Sequence, residues 1–373
     1  MSGSAVERTR PARSLREHTA PQAGAQGDRG SITAGWATYR RAYVAADGRV
    51  VDTGNAGVSH SEGQSYAMIA AVKVNDRTTF DQMHNWTNRI LRQRGDHLAA
   101  WRWVPRGGVR DRNNATDGDL LFAWALQRGA DRWQDPRLAE MAADIARDIL
   151  AKCTVEWEGH CVLLPGAAGF HKGDHLVVNA SYFIFGAYRG LSRLVPDARW
   201  ARLEASSLAI LGASAFGRWG LPADWCVLRR NGNVEVWSER PPRFSWDAMR
   251  VPLHLAWAWL PAPALAAAVR FWRDPRLRNT PTAWADLYTN EVAPYAGHAG
   301  VRAVLQLAAF RAGLAPSPRN IAVSSATDYY GASLILLAAI AADEPPEAPA
   351  NAPPFNEAPA YGGGFRNFWG LFD

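Results

Sequence analysis

Three acidic positions in this 373-residue chain stand out because of the residues around them. Glu62 lies in Ser59-His-Ser-Glu-Gly-Gln-Ser-Tyr, where a loop gives way to an apolar helix. A carboxylate in a first helical turn ordinarily balances the helix dipole, so local context alone favours a capping role. Gly63, Gln64 and Tyr66 nevertheless put open backbone, an amide and a phenol beside it, company that suits a site. Asp117 and Asp119 open a second helical segment, with Asn and Thr residues available as caps. Acids at that spacing point in different directions on a helix, so at most one of them can share a cleft with Glu62. Asp247 and Arg250 lie three apart in Phe244-Ser-Trp-Asp-Ala-Met-Arg, on one helical face, where a local ion pair is the simplest reading. Glycoside hydrolysis needs two carboxyl groups flanking a scissile bond. One donates a proton, the other acts as base or nucleophile, and their separation decides inversion or retention.

Such widely separated acids meet only if the intervening elements bring them together. Phe80, Met83, Trp86, Ile90 and Leu91 form an apolar stripe at helical spacing, with Thr78 and Asp81 resembling a capping pair. Leu138, Met141, Ala142, Ile145 and Ile149 form another. Helical patterns recur near 62–73, 117–131, 179–194, 200–213, 245–259, 262–273, 298–313 and 327–342. The total is roughly ten to twelve helices, more than a simple bundle uses. Loops rich in Gly, Pro, Asn and Trp, such as Trp101-Arg-Trp-Val-Pro-Arg-Gly-Gly, fit a functional face on a rigid helical scaffold.

Domain limits follow from composition. Residues 1–33 are Arg-, Ala-, Gly- and Ser-rich and read as a disordered extension. Residues 34–343 read as one catalytic-sized domain, and 344–373 as a Pro-rich linker ending in an aromatic peptide. That tail either docks on a protein partner or folds back on its own domain.

Tryptophan is the compositional outlier, at 17 residues. A buried indole N–H needs a partner, so an aromatic core explains this excess less well than a cleft in which sugar faces stack on rings. The formal charge of +6 comes from scattered Arg, without a nucleic-acid-binding signature. Three cysteines exclude a disulfide scaffold. Cys153 and Cys161 flank a stretch with hairpin character, and a single disulfide or two separate buried thiols both fit it. The nine His show no ligand spacing, so no metal or other cofactor is expected. There is no membrane-spanning apolar run. Residues 1–30 carry five Arg and no apolar core of a signal peptide, so the sequence as it stands reads as non-secreted.

Taken in order, the motifs resemble the family 8 glycoside hydrolases. Ser61-Glu-Gly-Gln-Ser-Tyr-Ala-Met is similar to the segment carrying that family's general acid. Ala115-Thr-Asp-Gly-Asp-Leu-Leu-Phe-Ala-Trp-Ala-Leu, followed by Trp133, resembles its signature, departing at Phe122, Gln127 and Gly129, which are packing positions. Leu163-Leu-Pro-Gly, Asn179-Ala-Ser-Tyr (with Ala180 where Pro is usual), Leu221-Pro-Ala-Asp-Trp, Trp246-Asp-Ala-Met-Arg and Ser325-Ala-Thr-Asp-Tyr-Tyr follow in the family's order. The resemblance spans about residues 36–342 and is nearest to bacterial endoglucanases associated with cellulose-producing systems.

The resemblance implies an all-α (α/α)6 barrel, six inner helices ringed by six outer ones, with an open cleft at one end. It implies endo-hydrolysis of β-1,4-glucan with inversion, and a periplasmic or secreted setting. Chitosan, xylan or mixed-linkage glucan, or non-catalytic glucan binding in an export assembly, are the alternatives. Glu62 would be the general acid, Asp247 the base, and Asp117 would hold the distorted sugar. Arg250 would orient Asp247, and Tyr182 would sit near the attacking water or the same sugar. Trp101, Trp225, Tyr329 and Tyr330 would be stacking or subsite residues. A general acid must keep its proton until the leaving oxygen takes it, and the base must stay ionised, which Arg250 would favour.

Overall fold

The computed structural model describes residues 24–277, 281–315, 317–318 and 322–348. The C-terminal aromatic peptide, expected either to dock on a partner or to fold back on the domain, lies outside these residues. Eleven α-helices are present among them: α1 Gly24–Tyr43, α2 Ser61–Lys73, α3 Arg77–Ile90, α4 Thr116–Trp133, α5 Pro136–Lys152, α6 Phe185–Leu194, α7 Arg199–Ala213, α8 Arg250–Trp257, α9 Pro263–Trp272, α10 Ala299–Arg311 and α11 Tyr329–Asp343.

Burial separates the helices into two kinds. α8 is buried at every position, and α2, α4 and α11 are buried over almost their whole length. Such helices belong in a core, because apolar surface runs all round them. α3 and α5 instead bury one stripe, Phe80, Met83 and Trp86 in the first and Leu138, Ile145 and Ile149 in the second. Together with α6 and α10, the helices α2, α4, α8 and α11 touch in a closed circuit: α2 with α4, α4 with α6, α6 with α8, α8 with α10, α10 with α11, and α11 with α2. The other helices pack behind them, α1 on α11, α3 on α2, α5 on α4, α7 on α6, and α9 on both α8 and α10.

Short antiparallel strands join these helices. β1 Ser59–His60 pairs with β2 Arg102–Trp103 and runs straight into α2. β3 Thr154–Trp157 and β4 His160–Leu163 form the hairpin expected between Cys153 and Cys161. Both thiols are free and buried, as is Cys226. β5 His175–Val178, β6 Cys226–Arg229 and β7 Val234–Val236 form one sheet, and β8 Arg243–Phe244 pairs with β9 Ala285–Asp286.

Several sequence expectations shift. The boundary at residue 34 falls inside α1, whose Ile32 and Trp36 are buried in the core. α3 is capped by Asp76, which accepts from Thr79 N at 3.1 Å, two residues earlier than the Thr78/Asp81 pair suggested. The helix expected over 245–259 starts only at Arg250, after a turn that carries Asp247. Residues 344–347 are not a free tether. The Glu344 carboxylate pairs with Lys73 at 3.1 Å and with Arg128, and accepts from Trp257 Nε1 at 3.1 Å. Glu347 pairs with Arg193 at 2.9 Å.

Candidate active site

The site gathers at the N-terminal ends of the fully buried helices. β1 delivers Glu62 into the first turn of α2, Asp117 begins α4, and Arg250 begins α8. Helix N-termini carry partial positive charge, which offsets part of the cost of holding carboxylates there. Neither acid caps in the ordinary way. The residue ahead of α2, His60, makes no side-chain cap, and Glu62 turns its Oε1 to Tyr66 and Arg250 instead. Asp117 Oδ1 accepts from Gly118 N at 2.8 Å, while Thr116 is spent on Leu164 O at 2.7 Å.

Arg250 is the centre of the arrangement, its side chain almost wholly buried. One terminal nitrogen donates to Glu62 Oε1, to Tyr66 Oη at 3.1 Å and to Asp117 Oδ2 at 2.8 Å. The other donates to Asp247 Oδ1 at 2.8 Å and to Ser181 Oγ at 2.8 Å. The local Asp247–Arg250 pair is therefore real, but Arg250 also joins two acids from distant parts of the chain. Asp119 faces away, accepting from Ala99 N at 2.8 Å and Asn114 Nδ2 at 2.9 Å, so Asp117 alone joins Glu62.

The acids differ in exposure. Asp117 is buried, whereas Glu62 and Asp247 keep 24% and 30% of their side-chain surface, so those two can meet a substrate. Burial pushes the Asp117 carboxyl well up, the Glu62 charge adds to this, and Arg250 opposes both. Asp247 is also raised, first by burial, against the pull of Arg250 and of Trp225 Nε1, which donates to its Oδ2 at 2.9 Å. Arg250 thus opposes the rise of the Asp247 carboxyl without cancelling it. Burial likewise keeps the Tyr66 and Tyr182 phenols protonated.

The aromatic residues fall into three groups. Tyr182 meets Trp225 edge-on at 6.2 Å, and Trp225 stacks on Phe170 at 6.0 Å beside Asp247. Trp101 stacks on His60 at 5.9 Å, its indole donates to Asp111 at 2.9 Å, and its carbonyl accepts from Ser61 N, the residue before Glu62, at 3.1 Å. Tyr330 packs against Trp246 and His298, and its hydroxyl donates to Trp246 O at 2.6 Å. Tyr329 differs from the rest. It is only 4% exposed, and its hydroxyl lies where a Cβ on Gly63 would be, 2.3 Å away, so it backs the Glu62 turn rather than lining an open face.

Sequence reasoning missed Ser181, Asp224 and Trp246 as site residues. Each stood inside a quoted motif, but nothing in its own neighbourhood marked it. Trp246 is 58% exposed, and its indole stacks on His298 at 5.3 Å.

Residues 19–344 match the glycosyl hydrolases family 8. An endoglucanase of Cellulomonas uda is 41% identical over 73% of this chain and 76% of its own length. A probable endoglucanase of Novacetimonas hansenii is 40% identical over 83% and 90%. Among solved structures, the endo-β-1,4-glucanase of Acetobacter xylinum superposes with a TM-score of 0.78 at 38% identity, covering 84% of this chain and 98% of that one. With the match running from α1 through α11 and over every acid that Arg250 joins, the chain belongs to glycosyl hydrolase family 8, and it is a glycoside hydrolase.

Proposed function

We propose that this enzyme cuts internal β-1,4 bonds of a glucan with inversion at the anomeric carbon. The single observation that carries the reading is the shared Arg250 guanidinium, which holds Glu62 and the buried Asp117 on one nitrogen and Asp247 on the other. Relatives at about the same level of identity named as endoglucanases support the substrate. Glu62, with one oxygen tied to Tyr66 and Arg250, donates its proton to the leaving oxygen. Asp247 takes a proton from water on the opposite face of the sugar. An inverting pair leaves room for that water, with carboxyls about 6.5–9.5 Å apart. Asp117, too buried to act as base or to meet the sugar directly as the resemblance implied, holds the Arg250 guanidinium that the two exposed acids share.

The closed circuit of six helices, with five others packed behind it, supports the (α/α)6 barrel as the architecture. The rings of Trp101, Tyr182, Trp225 and Tyr330 form stacking positions along the cleft. An insoluble or exported polymer as substrate supports a periplasmic or secreted place of action. No helix among the described residues is long and apolar enough to cross a membrane.

The test is reducing-sugar release from carboxymethylcellulose, with product anomers followed by NMR. Glu62→Gln and Asp247→Asn should each lower turnover by at least about 10²-fold with the fold intact. An active Glu62→Gln enzyme, or retention of configuration, sinks the assignment.

A further inference from the structure

Asp247 does not sit on a regular helix. It occupies the turn between β8 and α8, flanked by the exposed Trp246 on one side and Ala248 on the other. A side chain on such a turn is placed only as well as the turn itself. Two outside groups hold it. One is Tyr330, whose hydroxyl donates to Trp246 O at 2.6 Å.

The other is Asp224. Its Oδ1 accepts from Ser245 N at 2.9 Å and from Ala248 N at 2.8 Å, and its Oδ2 accepts from Ser245 Oγ. These contacts bracket Asp247, two residues before it and one after. Asp224 is itself anchored through its backbone, its N–H donating to Arg243 O of β8 at 2.8 Å. The next residue in the chain is Trp225, whose indole holds Asp247 Oδ2. One dipeptide thus fixes both the backbone that carries Asp247 and one oxygen of its carboxylate.

We infer that Asp224 is a positioning residue: its carboxylate clamps the Ser245–Ala248 turn and so sets where Asp247 meets the attacking water. The inference rests on the reading of Asp247 as base. A carboxyl beside another acid is a costly choice for mere packing. Burial and the Asp247 charge push Asp224 up to about 7, against the hydrogen bonds it accepts. All three accepted hydrogen bonds come from the turn, so Asp224 acts through Asp247 rather than on substrate.

The experiment compares kcat and KM on a defined cello-oligosaccharide. Asp224→Ala should lower kcat at least about 30-fold while KM stays within about threefold, because a displaced base loses rate rather than binding. Asp224→Asn should recover kcat to within about fivefold, since its amide oxygen can accept both N–H groups and its NH2 can donate to Ser245 Oγ. Full kcat in Asp224→Ala overturns the inference, and so does an Asn variant as slow as the Ala one. If Asp224→Ala fails to fold by circular dichroism, Ser245→Ala decides. It removes one of three hydrogen bonds and should cost about threefold in kcat alone, and unchanged kcat overturns the proposal. Asp247→Asn, run in parallel, separates the two claims. Activity there sinks the base assignment itself, whereas an inactive Asp247→Asn beside a fully active Asp224→Ala sinks only the clamp.

Discussion

Each oxygen of the Asp247 carboxylate has its own donor, Arg250 on Oδ1 and Trp225 Nε1 on Oδ2. Both donors favour the ionised form, yet burial outweighs them and leaves the carboxyl raised. A base must be ionised to take a proton, so activity falls as pH drops through that raised value. Trp225→Phe keeps an aromatic face for sugar but removes the donor, so the group should rise further. The acid limb of the kcat profile should therefore move to higher pH in Trp225→Phe, by roughly half a unit to one unit for a lost hydrogen bond. A profile that does not move would mean that the indole serves substrate stacking alone. In the sequence, Trp225 was legible as an aromatic near a site but not as a ligand of the base. Its bond to Asp247 crosses 22 residues and depends on how β6 and β8 are set.

The helices meet most closely where the chemistry is. A Cβ placed on Gly118 would lie 2.2 Å from Ser61 Oγ and 2.9 Å from Glu62 N. Gly118 follows Asp117, so the missing side chain lets the first turns of α2 and α4 touch and brings Glu62 and Asp117 to one guanidinium. Gly→Ala within a helix ordinarily gains about 0.5–1 kcal/mol. Here overpacking should win, at about 1–3 kcal/mol, because one of the opposing atoms is backbone that cannot swing away. Gly118→Ala should thus lower the thermal midpoint and cut kcat by at least about tenfold, whereas Gly212→Ala on α7, with open space around its Cβ site, should do neither. Differential scanning calorimetry alongside kinetics checks both. The helices themselves were readable from apolar periodicity, and so was the appearance of acids at their starts. The residue at which α8 begins was not, because the Asp224 clamp that shapes the preceding turn comes from a separate loop.

At the opposite end the molecule is closed by a few residues that composition alone assigns to a linker. Lys73 at the end of α2, Arg128 in α4 and Trp257 at the end of α8 converge on the Glu344 carboxylate, just past α11. Arg189 of α6 donates to Glu347 O at 3.2 Å, and Arg311 of α10 donates to Ala341 O. Burial pushes Glu344 up, but Arg128 and Lys73 outweigh it and hold the carboxyl below the usual range. A depressed carboxyl contributes its stability above the unfolded value, about 4.3, and loses it as pH falls through the folded one. Glu344→Gln should therefore be less stable than the parent at about pH 7 and approach it at about pH 3. Guanidinium midpoints at both values read this directly, and an equal deficit at both would place the loss in packing rather than charge. Glu344→Ala, which strands Arg128 in a buried place, should cost about 3–5 kcal/mol. Any truncation of the tail must therefore begin after Glu347 to spare the fold.

The sequence by itself determined the helical class, through apolar residues recurring at helical spacing, and it marked Glu62, Asp117 and Asp247 through motifs that read in a fixed order. Those are local properties, carried by residues a few positions apart. Tertiary structure alone decided that Asp117 and not Asp119 joins Glu62 and that Arg250 bridges both acids besides its near neighbour Asp247. It also decided that Tyr329 backs the site instead of lining it, and that Glu344 belongs to the domain. Each of these depends on atoms brought together from distant stretches of chain, with burial setting how strongly the charges act on one another. Pairing across 188 residues, as between Glu62 and Arg250, leaves no trace in local spacing.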